Sequence, residues 1–83
     1  MDKNGIRDQF IGLVSEYSRK KADEITPDSR FREDLEFSSL DFMAFLGDLE
    51  DLFDVEVDEE RALRIITVED ALNYIDDLVK EAV

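Results

Sequence analysis

From Glu33 to Glu60 the chain carries twelve Asp or Glu residues and neither Lys nor Arg. Like charges this dense repel one another, so the stretch folds only by turning its carboxylates to water and burying an apolar side. That side is present. Phe42, Phe45, Leu46, Leu49, Leu52 and Phe53 recur at helical spacing and gather on one face. Leu40, Met43, Ala44 and Gly47 fall on the opposite face, flanked by Asp48, Glu50 and Asp51. The pattern predicts an amphipathic helix from the Ser38-Ser39 pair to Phe53. Ser38 is its N-cap, and Asp41 three positions on completes a variant of the capping box. Two serines at a helix start, ringed by carboxylates and followed by a small apolar strip, predict a handle offered to basic partners. Gly47 in mid-helix costs about 1 kcal/mol relative to Ala, which asks for a packing or docking reason.

The remaining segments read as helices too. Ile6, Phe10, Leu13, Val14 and Tyr17 recur every three or four residues and predict a first helix from about Lys3 to Lys20. Asp2 or Asn4 would cap its start, and Arg19, Lys20 and Lys21 would suit the negative end of its dipole. A long connection follows through Pro27, Asp28 and Ser29, with Ile25, Phe31 and Leu35 as its expected anchors. A brief helical turn is expected around Glu59 to Arg64. A last helix is capped by Thr67-Val68-Glu69-Asp70, with Ala71, Leu72, Ile75, Leu78 and Val79 on one face. The predicted fold is all-α: one domain, residues 1–83, as a small antiparallel bundle of three main helices plus one short helix, with a long loop between the first two.

Composition removes several function classes. With 43% hydrophobic residues, the chain is too apolar for a disordered acidic tail. A net charge of −13 repels nucleic acid and anionic membrane and attracts proteins with basic patches. No apolar run is long enough to insert in a membrane, and the polar start is not a signal peptide, so a cytoplasmic protein is expected. There is no Cys or His, no serine–base pairing and no phosphate-cradling Gly loop, so the chain is not expected to be an enzyme. The acids from Asp48 to Glu60 lack the alternating-oxygen loop of a calcium site, so no metal site is expected.

The motifs nevertheless point to a family. Glu33-Asp34-Leu35, then Ser39-Leu40-Asp41, then Leu49-Glu50-Asp51-Leu52-Phe53-Asp54-Val55-Glu56-Val57 resembles the acyl carrier proteins. The likeness continues through Arg64-Ile65-Ile66-Thr67-Val68, Asp70-Ala71-Leu72 and Tyr74-Ile75. The resemblance implies a 4′-phosphopantetheine arm on Ser39, added from coenzyme A by a phosphopantetheinyl transferase. Acyl groups would ride on it as thioesters to partner enzymes of fatty acid, polyketide or related biosynthesis. It implies docking by Leu40, Asp41, Met43, Gly47, Glu50, Asp51 and Ile65, and an acyl pocket involving Phe42 and Leu46. The partners implied are that transferase and acyl-loading and acyl-processing enzymes with basic patches, met by a monomer.

The chain departs from the family pattern at three points. Ser38 stands where the family usually has Asp. Glu36 stands where Gly is usual, three residues before the modified serine. Phe42 replaces a small Thr or Ser, which predicts a shortened acyl pocket and a short, polar or unusual cargo. Two other readings stand beside the carrier: a peptidyl or aminoacyl carrier domain of a non-ribosomal pathway, and an unmodified acidic adaptor acting by charge alone.

Overall fold

The computed structural model describes residues 3–81, with side chains from Gly5 onward. It contains helices α1 (Lys3–Ser18), α2 (Ser39–Phe53), α3 (Glu59–Ala62) and α4 (Val68–Glu81), and a single 3₁₀ turn at Ala22–Glu24. The architecture is all-α, three main helices and a short one, with α1 packed against both α2 and α4. Of the described residues, none lies in a helix long and apolar enough to cross a membrane. The expected caps of α1, Asp2 and Asn4, lie outside the described side chains.

α1 ends two residues before the expected Lys20. Arg19 takes a left-handed φ of 62°, and its amide bonds back to the Ser15 carbonyl at 2.9 Å. The Ser15 hydroxyl donates to the Lys20 carbonyl, so the chain turns away there. Ile6, Phe10 and Val14 are buried, whereas Leu13 and Tyr17 pack at the edge of the core. α3 is also shorter than the expected Glu59 to Arg64. After Ala62 the amides of Arg64 and Ile65 reach back only three residues, to Arg61 and Ala62, which tightens the exit into a turn. On α2, Leu52 is exposed rather than buried with its neighbours, because the left-handed C-cap at Asp54 ends the helix before anything covers that side.

The core centres on α2. Phe45 and Leu49 are fully buried with Phe10 and Val14 of α1 and Val68 and Ile75 of α4. Phe45 meets Phe10, Tyr17 and Phe37 edge-on at 5.5–5.7 Å between centroids, and Phe31 and Phe42 lean on it at tilted angles. Burying a Phe contributes about 1.5–3 kcal/mol, and each such ring pair roughly 0.5–1.5 kcal/mol more. This aromatic cluster is the floor beneath the start of α2.

The long connection between α1 and α2 is anchored by Ile25, Phe31 and Leu35 as expected, and also by Phe37. Its backbone is laced to the entrance of α4. The Phe31 amide donates to the Ile66 carbonyl at 3.0 Å, the Val68 amide to Ser29 at 2.9 Å, and the Glu69 amide to Pro27 at 3.0 Å. Arg30 and Thr67 thereby form an isolated antiparallel bridge. Buried Ser29 is satisfied locally, its hydroxyl accepting from the Thr26 amide at 3.0 Å.

Candidate functional site

Ser38 caps α2 through a complete capping box. Its hydroxyl accepts from the Asp41 amide at 3.1 Å, and the Asp41 carboxylate accepts from the Ser38 amide at 3.1 Å. With the cap supplied by Ser38, the hydroxyl of Ser39, the first helical residue, is not needed to hold the helix. Ser39 is exposed, as are Leu40 and Asp41. The amides of Ser39 and Leu40 have no acceptor within the helix and face outward with the positive end of the dipole. A hydroxyl so placed suits attachment of an anionic group.

Sequence reasoning missed one neighbour of that hydroxyl. Arg32 arrives from the loop, and its Nη2 donates to Ser39 Oγ at 2.6 Å. Arg32 lies one residue outside the acid-only stretch and seven before the serine, and no helical period connects them. The nearby cation Arg30 is already paired, with Glu33 at 2.5 Å and Asp34 at 3.4 Å. Backbone and side-chain hydrogen bonds from Arg30 hold the Asp34 carboxyl below the usual range. Among the described residues Arg32 forms no ion pair.

Beside the serine runs a groove of about 380 Å³ between the loop and α3. Phe31, Phe37, Phe42, Ala62, Leu63, Ile65 and Ile66 form its apolar lining, and Arg30, Arg32 and Glu33 its rim. A second, smaller cleft of about 80 Å³ opens between α2 and α3, lined by Phe42, Met43, Leu46, Glu59, Ala62 and Leu63. Phe42 borders both, half-buried, with its ring 5.3 Å from Phe31. Leu46 is buried at the back of the smaller cleft. A larger depression of about 580 Å³ lies away from the serine, among Arg7, Ile11, Pro27 and Leu72.

The expected docking residues divide. Leu40 is 83% exposed and Met43 51%, and Asp51 is exposed beside them. Gly47 is half-buried, and a methyl group added there would meet nothing within 4 Å, so packing within the fold does not require glycine. Glu50 has a structural task, since its carboxylate accepts from the Val57 amide at 3.0 Å and closes the turn after α2. Ile65 is half-buried in the groove wall, because the tightened exit of α3 turns it inward. Leu63 at 81% and Ile66 at 62% are the exposed apolar residues on that side.

Contacts at two tyrosines fix the frame around the site. The Tyr17 hydroxyl donates to Asp48 at 2.5 Å, tying α1 to α2. That hydrogen bond, ahead of burial and the Asp48 charge, pushes the Tyr17 phenol up to about 12. At α3, the Asp58 amide donates to the Tyr74 hydroxyl at 2.7 Å, and Arg61 lies 4.9 Å over the Tyr74 ring. Tyr74 is buried, and its role was not evident from the helical pattern.

Comparison with known proteins agrees with this arrangement. Residues 8–75 match the family model described as a phosphopantetheine attachment site. The acyl carrier protein of Borreliella burgdorferi is 44% identical over 75 residues, spanning 90% of this chain and 94% of its own length. That of Rubrobacter xylanophilus is 36% identical over 75 residues, spanning 90% and 93%. Among solved structures, acyl carrier protein from Enterococcus faecalis superposes with a TM-score of 0.81 at 29% identity, covering 94% of this chain and 99% of that one. An acyl carrier protein from Thermotoga maritima has the same fold, with a TM-score of 0.81 at 23% identity, covering 100% and 96%. An exposed serine at a capped helix start, on a bundle of this shape and with relatives of this similarity, places the chain in the phosphopantetheine-bearing acyl carrier protein family.

Proposed function

We propose that Ser39 is the attachment point of the 4′-phosphopantetheine arm, and that the chain presents acyl groups on it to enzymes with basic docking patches. The observation that carries this reading is the exposed Ser39 hydroxyl on α2, spared from capping duty by Ser38. The residues around it fit a phosphodiester: first-turn amides, the helix dipole and the Arg32 guanidinium all favour negative charge there. When attached, the arm supplies the thiol that this chain lacks. In the loading step the Ser39 hydroxyl gives up its proton, its oxygen bonds to phosphorus, and the nucleotide part of coenzyme A leaves.

Partner enzymes, the phosphopantetheinyl transferase among them, dock on Leu40, Met43 and the Asp41 and Asp51 carboxylates, with Gly47 allowing close approach. Leu63 and Ile66 extend the apolar part of that surface toward α3. Phe42 restricts the cleft between α2 and α3. At about 80 Å³ that cleft is far below the ~300–1,000 Å³ of ordinary ligand pockets and suits only a short cargo, while the adjoining groove of about 380 Å³ is left to the arm. The protein acts as a cytoplasmic monomer and is a carrier, not a catalyst.

The test is incubation with coenzyme A and a broad transferase, followed by fragmentation to locate the added mass. Mass on Ser39, absent from Ser39→Ala, supports the proposal. A chain that keeps full activity in its host while always bare is instead the acidic adaptor. Mass spectrometry of the loaded form from the host tests the cargo, and a long-chain acyl group there overturns the role given to Phe42.

A further inference from the structure

The geometry points to Arg32 as a clamp for the arm's phosphodiester, holding the first part of the arm over the groove between the loop and α3. The inference rests on attachment at Ser39 and adds a positioning residue to it. Arg32 already reaches the oxygen concerned, with Nη2 at 2.6 Å from Ser39 Oγ. A neutral hydroxyl uses one of the five N–H donors of a guanidinium and none of its charge. Esterification puts phosphorus on that same atom, and its two non-bridging oxygens, which share one negative charge, lie one bond further out, where a planar fork can take both.

The surrounding charges leave this cation available. Glu33 and Asp34 are engaged with Arg30, and Asp41 is engaged with the Ser38 amide. Ser38, which stands next to the site, brings no carboxylate to compete with the phosphate. The groove explains what the clamp achieves. Arg32 sits on its rim, and Phe31, Phe42 and Ile66 line the floor and wall. Fixing the phosphate there lays the arm's branched methyl groups against apolar residues instead of leaving them in water. A carboxylate on the cargo would lie at the far end of the arm, beyond the reach of a side chain that contacts Ser39.

The test uses the arm-bearing protein, with loading on Ser39 first verified by mass in wild type, Arg32→Ala, Arg32→Gln and Arg64→Ala. Phosphorus NMR then reads the diester, and nuclear Overhauser contacts are sought between the Arg32 side chain and the arm's methyl groups. In wild type the contacts are expected, along with a phosphorus resonance displaced from that of free phosphopantetheine. Arg32→Ala and Arg32→Gln should lose the displacement, and Arg64→Ala should keep it. Raising NaCl toward 1 M, where screening acts within about 3 Å, should move the wild-type resonance toward the Arg32→Ala value. Loading on Ser39 with identical resonances in wild type and both Arg32 variants overturns the clamp and leaves the attachment standing. Equal shifts in Arg32→Ala and Arg64→Ala also overturn it, because the effect would then be the overall field. Absence of added mass on Ser39 overturns attachment and clamp together.

Discussion

The starts of α2 and α4 are built from the same local motif and put to opposite uses. Ser38 and Asp41 cap α2, and Thr67 and Asp70 cap α4, each pair bonding reciprocally to the other's backbone. The positions between them differ. The first helical residue of α4 is Val68, 1% exposed in the core, while that of α2 is Ser39, exposed with its hydroxyl outward. At α4 the incoming chain is stitched to the loop through Ser29 and Pro27, and Asp70 accepts from the amides of both Ile66 and Thr67. At α2 the cap is self-contained and the first turn is open to solvent. A capping box decides only where a helix starts. The residue after the cap decides whether that start is sealed or offered.

Exchanging functions at the paired positions gives the largest expected contrast. Ser39→Ala should abolish loading in an intact-mass assay while leaving stability within about 0.5 kcal/mol, as is usual for surface changes. A variant that still gains the arm breaks the comparison. Val68→Ala should do the reverse. It removes about 2 kcal/mol of buried apolar contact, read by urea unfolding, and leaves loading on Ser39 intact.

The caps themselves come next. Thr67→Ala should cost about 1 kcal/mol in the same unfolding experiment. The Asp70 carboxyl is held below its usual range by the amides of Thr67 and Ile66. A carboxyl lowered in the folded state contributes stability above its unfolded value and loses it as pH falls through the folded one. Stability should therefore decline on the acid side, and Asp70→Asn should flatten that decline. An unchanged acid limb in the variant would remove Asp70 from the account. On the alkaline side Tyr17, raised from 10.0 to about 12, contributes fully below the lower value and loses its contribution as pH rises toward the upper one. Tyr17→Phe should flatten that limb.

The smallest expected effect lies just before α2. Glu36 holds a left-handed φ of 58°, a conformation that costs most residues about 1 kcal/mol or more and costs Gly little. Glu36→Gly should raise the unfolding midpoint by somewhat less than that cost, since Gly also loosens the unfolded chain. A lowered midpoint would mean that the carboxylate matters more than the backbone.

Much of this contrast was legible in the residues. The serine pair with Asp41, and Thr67 with Asp70, fixed both helix starts, because a cap is written within four consecutive positions. The burial of Phe45, Leu49 and Ile75 followed from helical period. What escaped were contacts that depend on the chain returning to itself. The bridge between Arg30 and Thr67, the reach of Arg32 to Ser39 and the hold of Tyr74 on Asp58 join residues with no shared period. Leu52 misled because periodicity describes a helix face but not whether another element arrives to cover it. The half-buried setting of Ile65 was not legible, because the short third helix ends earlier than its sequence suggests.

The bridge between Arg30 and Thr67 splits the long interhelical connection into two mechanically distinct halves. Upstream, between the end of α1 and the buried anchor Ile25, added or deleted residues can be absorbed as slack, because the turn at Ala22–Glu24 buries no residue. Downstream, the eight residues from Phe31 to Ser38 are a ruler whose length sets where the modified oxygen stands above its aromatic floor. Natural or engineered variation in loop length should accumulate in the first half and be absent from the second.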